Sequence, residues 1–254
     1  MRTSFRRFSL VLAVAATSVA TTAAVTGTAG AASIAPRVFA VSSVSPSSGE
    51  RVGVAAPISI RFANPVSDRA AAERTVAVST AAGPLAGSFQ WSDDQNLVWK
   101  AAAPLPANTG IGVQAGRAHT DFTTDYGTTA DADMSAHTFT VYIPGQAPRV
   151  MPASMGRPGH ETPVGTFPVM ERDRYLQFDS ATIGIPRSSP DGYYFVGDYA
   201  ERLTSGGVFV HSAPWSVDSQ GVENVSHGCI NLAPDDAEWY YENVSVGDPV
   251  TTHW

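Results

Sequence analysis

The chain has one cysteine, Cys229, among 254 residues. No internal disulfide is possible, and the fold must rest on buried apolar surface. Charge is also scarce: Asp, Glu, Lys and Arg make up 15% of the residues, and the formal net charge is −7. No basic patch follows the N-terminal segment, which excludes nucleic acid or anionic lipid as the main partner. No cysteine lies near residues 29–32, so a lipid-anchored form is excluded as well. What the chain does have is 22 glycines, 18 prolines and 43% hydrophobic residues, the composition of a turn-rich β protein. Its length fits two domains of about 100–150 residues each.

The N-terminus carries Arg2, Arg6 and Arg7, then an apolar, Ala-rich stretch from Phe8 to about Val25, then small residues at Ala29-Gly30-Ala31-Ala32. This pattern predicts an export signal over 1–32 and a place in the cell envelope, the cell wall or outside the cell. Ser9 stands where a twin-arginine signal wants a bulky apolar residue, which favours the general secretory route. The alternative is a retained membrane anchor, although Thr17, Ser18, Thr21 and Thr22 make the stretch polar for a span.

Residues 33–41 read as a linker. From 42 to 136, short alternating runs at 57–62, 75–78, 88–91, 96–100 and 110–113 are separated by Gly, Pro and Asn and predict an antiparallel sandwich. Trp91 and Trp99 fall within these runs and read as core or sheet residues. A second unit, 137–254, opens with an alternating strand at 137–143. Its one convincing helix spans 234–244, with Asp235 and Asp236 near the start and Gly247 beyond the end.

The chemistry concentrates near residues 207–231. In Gly207-Val208-Phe209-Val210-His211, alternation puts Phe209 and His211 on one face. Downstream lies Ser226-His227-Gly228-Cys229-Ile230-Asn231. Cysteine reacts as the thiolate, and a neighbouring imidazole can take its proton and hold its pKa below the free value of about 8.5. Gly228 has no side chain, so backbone amides there can approach a reacting carbonyl, as an oxyanion hole requires. These residues predict acyl transfer. His211, His227 and Cys229 are also zinc-ligand types, and a zinc hydrolase stands as the alternative from another class.

His211, the spacer 212–225 and Ser226-His227-Gly228-Cys229-Ile230-Asn231 together resemble the L,D-transpeptidases, whose catalytic domain has the YkuD fold. Thr162-Pro163-Val164-Gly165-Thr166-Phe167 is similar to that family's Thr-Pro-x-Gly-x-Phe pattern, and 42–136 resembles the immunoglobulin-like domain that precedes actinobacterial members. The resemblance implies a mainly β protein, an immunoglobulin-like β-sandwich followed by a YkuD-type β-sandwich with one C-terminal helix. It implies Cys229 as nucleophile, His211 as base with its ring oriented by the Ser212 carbonyl, and an oxyanion hole from the amides of His227, Gly228 and Cys229. Tyr193 would belong to a mobile flap over the peptide. Gly206, Gly207 and Asn231 would contact substrate, with Gly206 standing where mycobacterial members carry serine, and Met155 would line the donor cleft, the alternative being an ordinary core methionine. The implied partners are peptidoglycan stem peptides, a tetrapeptide donor and a diaminopimelate acceptor, with no cofactor. An L,D-carboxypeptidase using the same thioester, or a wall-binding module with a vestigial site, stands as a further alternative. Mycobacterial members run on past the last strand, whereas this sequence stops at Trp254.

Overall fold

The computed structural model describes residues 39–254. The expected export signal, and all but the last three residues of the expected linker, lie outside them. Those three are already part of the fold, since Phe39 packs its ring edge-on against Phe62 at 6.1 Å and the Ala40 carbonyl accepts from Ala63 N–H.

The first half contains β1 (Val41–Ser45), β2 (Arg51–Val52), β3 (Ile58–Phe62), a five-residue helix α1 (Arg69–Glu73), β4 (Val76–Thr80), β5 (Gly83–Pro84), β6 (Gly87–Trp91), β7 (Asn96–Ala101), β8 (Gly110–Ala115) and β9 (Ala118–Thr124). They form two sheets, ordered β1-β3-β7-β6 and β2-β9-β8-β4-β5. In β3, Ile58, Ile60 and Phe62 point into the core between the sheets while Ser59 and Arg61 face out, the period-2 pattern that the sequence displays. Each such side chain stabilises the fold by about 2–3 kcal/mol relative to leaving it exposed. Trp99 is buried in this core, and Trp91 stacks on Phe62 at 5.6 Å while donating to Glu73 at 2.7 Å.

The second half contains β10 (Thr129–Asp133), β11 (Thr138–Tyr142), β12 (Arg149–Ser154), β13 (Gly165–Pro168), β14 (Glu171–Asp179), β15 (Tyr194–Arg202), β16 (Phe209–Ser212), β17 (Ile230–Leu232), α2 (Pro234–Asn243) and β18 (Pro249–His253). The strands form one nine-stranded order, β13-β18-β10-β11-β12-β17-β16-β15-β14. Residues from β18 near one end of this order and β15 near the other, together with Ala237 and Tyr240 of α2, bury themselves in a single core, so the sheet curls around it. A boundary at 136/137 cuts this sheet. Thr129–Asp133 pairs antiparallel with β11 and parallel with β18, so the strand belongs to the second unit. Helix α1 also escaped the sequence reading, which saw only α2.

The two halves meet through backbone. Gly53 N–H donates to the Val246 carbonyl at 2.7 Å and Ala55 N–H to the Gly247 carbonyl at 2.8 Å. A β-carbon on Gly53 would lie 2.1 Å from Asp248 N, so only glycine permits this approach. Among the described residues no helix is long and apolar enough to cross a membrane.

Candidate active site

β16 and β17 run parallel, with His211 opposite Asn231 and Val210 opposite Ile230. Partners in register share a face, and side chains two apart on one strand do too. His211 and Asn231 therefore point the same way, and Cys229, two residues before Asn231, joins them. All three line a cavity of about 380 Å³, together with Tyr193, His227 and Trp215. On the opposite face of β16, Val210 packs into the core under α2.

His211 is almost fully buried. Its Nδ1–H donates to the Ser212 carbonyl at 2.8 Å, which leaves Nε2 as the free, basic nitrogen. Phe178 and Trp215 bracket the ring at 4.8 and 5.9 Å, and Phe195 lies 6.5 Å away. Burial holds the imidazole pKa down to about 4, against a smaller upward effect of the Ser212 carbonyl.

Cys229 is half-buried against Phe178, Ala200 and Phe209. Its thiol donates to the Gly207 carbonyl at 3.6 Å. Burial pushes the thiol pKa up to about 11, opposed in part by the Phe209 backbone N–H. The sequence expectation of a depressed thiol pKa is therefore reversed. Both groups rest neutral because burial dominates each and no cation among the described residues acts on the thiol in this apolar setting.

His227 is engaged elsewhere. An Arg157 guanidinium N–H donates to its Nε2 at 3.1 Å, the same nitrogen of Arg157 pairs with Asp191 at 2.5 Å, and the rings of His160 and Tyr193 lie 5.0 and 5.3 Å away. A donor on Nε2 places the His227 proton on Nδ1. Burial, and after it Arg157 and His160, lower its pKa. A guanidinium against the ring is hostile to a bound cation. Among the described residues no group of three His, Cys, Asp or Glu side chains could hold a metal ion. The zinc arrangement of His211, His227 and Cys229 is thus not assembled.

Of the three amides expected to hold an oxyanion, Gly228 N–H is already bonded to Ser226 Oγ at 3.0 Å, and that hydroxyl in turn donates to the Cys229 carbonyl at 2.6 Å. The N–H groups of His227 and Cys229 have no acceptor among the described residues. Gly228 has φ of +115°, a conformation that glycine adopts without strain.

Tyr193 lies at the end of the segment joining β14 to β15. That segment is pinned by Tyr193 N–H to Ser180 Oγ at 3.0 Å, by the Arg187–Asp179 pair and by Arg157–Asp191. Asn231 donates through Nδ2 to Ser216 Oγ at 3.1 Å, while its buried Oδ1 has no partner in the described protein. Gly207 lines a second hollow of about 200 Å³, on the side of Tyr193 where Ile183 and Arg202 lie. Gly206 is exposed in the turn that closes on Thr204 and lines neither cavity.

Met155 takes the second of its two readings, that of a core methionine. It is fully buried just past the end of β12, belongs to the same core as Met151 and Ala153, and does not line the cavity. The residues that sequence reasoning missed are Phe178 and Phe195, cross-strand partners with rings stacked at 5.1 Å, and Trp215 on the 3-10 turn Pro214–Ser219. Trp215 falls within the spacer 212–225, to which the sequence reading gave no task. The signal available for it was an aromatic four residues after the histidine.

Comparison with known proteins decides the family. Residues 127–251 match the YkuD model, described as the L,D-transpeptidase catalytic domain, and residues 9–121 match a bacterial Ig domain. L,D-transpeptidase 1 of Mycobacterium tuberculosis is 47% identical over 210 residues, which cover 83% of each chain. This chain belongs to the L,D-transpeptidase family. Among solved structures, an L,D-transpeptidase in complex with imipenem superposes with a TM-score of 0.81 at 46% identity, covering 85% of this chain and all of that one. L,D-transpeptidase 3 of M. tuberculosis gives 0.79 at 42%, covering 86% of this chain and 100% of that one. The catalytic-domain match begins at 127, just ahead of β10, where the backbone also places the start of the second unit. The L,D-transpeptidase is thus a mainly β protein, with an immunoglobulin-like domain ahead of the YkuD domain.

Proposed function

We propose that this L,D-transpeptidase cross-links peptidoglycan stem peptides through a thioester on Cys229, with His211 as the base. The observation that carries the proposal is one cavity lined by Cys229 and by His211, whose Nδ1 is held by the Ser212 carbonyl. The neutral thiol attacks the carbonyl of a donor tetrapeptide as His211 Nε2 takes its proton. Charge builds on the carbonyl oxygen, where the unengaged amides of Cys229 and His227 can meet it. The imidazolium then protonates the departing D-alanine amine, leaving a thioester. The amine of an acceptor diaminopimelate attacks, gives its proton to His211 and restores the thiol. Water in place of the amine would give L,D-carboxypeptidase activity from the same intermediate. A carbonyl suits the role of ring-orienting group in an apolar site, because it fixes the tautomer without adding a buried charge. Residues 1–32 support export, and so a place of action in the cell envelope.

The imipenem complex of a similar protein suggests the test. Incubation with imipenem should add one covalent equivalent to Cys229, seen by intact mass, and Cys229→Ser should stay unmodified. With a defined tetrapeptide stem, the wild-type protein should release D-alanine and yield a dimer. Folded wild-type protein left unmodified by imipenem and inert towards the stem would overturn the reading.

A further inference from the structure

The Thr162-Pro163-Val164-Gly165 segment lies far in sequence from the reacting groups, yet the side chain of Thr162 reaches the backbone of the nucleophile. Thr162 is buried. Its hydroxyl donates to the Gly228 carbonyl at 2.8 Å and accepts from Gly156 N–H at 3.0 Å. The single hydroxyl proton is therefore spent on Gly228. The loop around Thr162 is locked against the same segment, 226–229, that leads into β17. Arg157 N–H donates to the Ser226 carbonyl at 3.0 Å, and Ser226 N–H to the Met155 carbonyl at 2.9 Å. A β-carbon on Gly156 would lie 2.1 Å from the His160 carbonyl oxygen, so only glycine lets the loop fold this tightly on itself. Pro163 biases Thr162 towards extended backbone and limits the paths its hydroxyl can take.

In a trans peptide the C=O and the following N–H point in opposite directions. The peptide joining Gly228 to Cys229 has its carbonyl held by Thr162, so the Cys229 N–H is turned away from the loop. At φ of +115°, Gly228 has the freedom to let that peptide rotate if the carbonyl were released. We propose that Thr162 is a positioning residue for the oxyanion hole: by holding the Gly228 carbonyl, it keeps the Cys229 amide N–H aimed at the oxygen of the acyl group. This rests on the cysteine acyl-transfer reading and assigns the hydroxyl of the Thr-Pro-x-Gly segment a task in it.

The test separates oxyanion support from nucleophile support. Opening of imipenem builds an oxyanion, whereas alkylation of the same thiol by iodoacetamide displaces iodide and builds none. Thr162→Val keeps the shape and removes the hydroxyl. Its imipenem acylation rate should fall by about tenfold to a hundredfold, short of or equal to the loss of one oxyanion donor, while iodoacetamide alkylation stays within about twofold of wild type. Thr162→Ser should restore most of the acylation rate. In the imipenem adduct, the acyl carbonyl stretch should move to higher wavenumber in Thr162→Val, as expected for a carbonyl with a weaker donor. All rates are compared below the unfolding midpoint of each variant. Should Thr162→Val not fold, Thr162→Ala is assayed in the same way, with the same expectation. Acylation at the wild-type rate in a variant without the hydroxyl would overturn the inference alone, as would equal losses of acylation and alkylation. Wild-type protein that imipenem does not modify would overturn the acyl-transfer reading, and this inference with it.

Discussion

At the scale of residues, two histidines line one cavity and differ in what their ring nitrogens do. His211 offers a free Nε2 because its Nδ1–H is spent on the Ser212 carbonyl, whereas His227 has Nε2 occupied by Arg157. Nearness in sequence would favour His227, two positions from Cys229. His211→Ala should accordingly lower imipenem acylation by about a thousandfold, within the usual range for loss of a general base. His227→Ala should stay within about tenfold of wild type, because its backbone amide remains. Mutant rates in the opposite order would reassign the base. The resting protonation states give a pH profile. Burial sets His211 near 4 and Cys229 near 11, so the base is neutral above the first value and the thiol is intact below the second. Acylation should rise as pH passes through about 4 and then run level from about 5 to 9. A rate that climbs through about 7–8 would point instead to a thiolate formed by ionisation before attack.

At the scale of elements, β10 decides where the catalytic unit begins. It lies between β18 and β11 in the interior of the nine-stranded order, so a deletion that ends at 136 removes an interior strand and leaves two edges unpaired. Deleting residues up to 126 should leave a unit that folds and still takes up imipenem at Cys229. Deletion up to 136 should give aggregated or unfolded protein by circular dichroism and gel filtration. Equal behaviour of the two truncations would refute the role of β10. The strand was hard to see in sequence for a simple reason. In Thr129-Ala130-Asp131-Ala132-Asp133 the core-facing residues are alanines, whose methyl groups give little hydrophobic contrast even though both are buried. β3 and β16 carry Ile, Phe and Val on the inward face and stood out at once.

At the scale of the whole molecule, Asp248 and Glu201 are carboxyl groups buried where charge is costly. Asp248 lies beside the contact with Gly53. Its Oδ2 accepts from Ser245 N–H at 2.8 Å, its Oδ1 has no partner in the described protein, and Asp125 of the first half, Arg172 and Tyr240 are the ionisable groups around it. Burial, with Asp125 adding to it, pushes Asp248 up to about 8. Glu201, on β15 and fully buried, is pushed well above the usual carboxylate range by burial, with Arg172 opposing. Groups raised in this way are protonated in the folded protein while they ionise in the unfolded chain. Their contribution is fully present below the unfolded value of about 3.8–4.5 and is lost as pH rises through the folded value. The thermal unfolding midpoint should therefore fall between about pH 4 and pH 8. Asp248→Asn should flatten that fall while keeping an acceptor for Ser245. An unchanged slope in Asp248→Asn would show that the carboxyl is ionised in the fold.

Much of this protein is determined by its sequence alone. Period-2 runs punctuated by Gly and Pro set a mainly β architecture, because alternation is a local property of a strand with one buried face. His211, Cys229 and Gly228 carry the proposed acyl transfer in the sequence itself, because nucleophile, base and close-approach glycine are residue types that chemistry restricts. Only the tertiary structure decided the rest. The Cys229 thiol rests neutral because Phe178, Ala200 and Phe209 surround it, and those residues come from three different strands. Met155 sits in the core rather than the cleft, packed with the end of the strand that precedes it. Thr162 meets Gly228 across 66 residues of chain because a loop folds back on the segment that carries Cys229. Each of these depends on which groups share a low-dielectric space, and that is set by how the sheet closes rather than by any stretch of sequence.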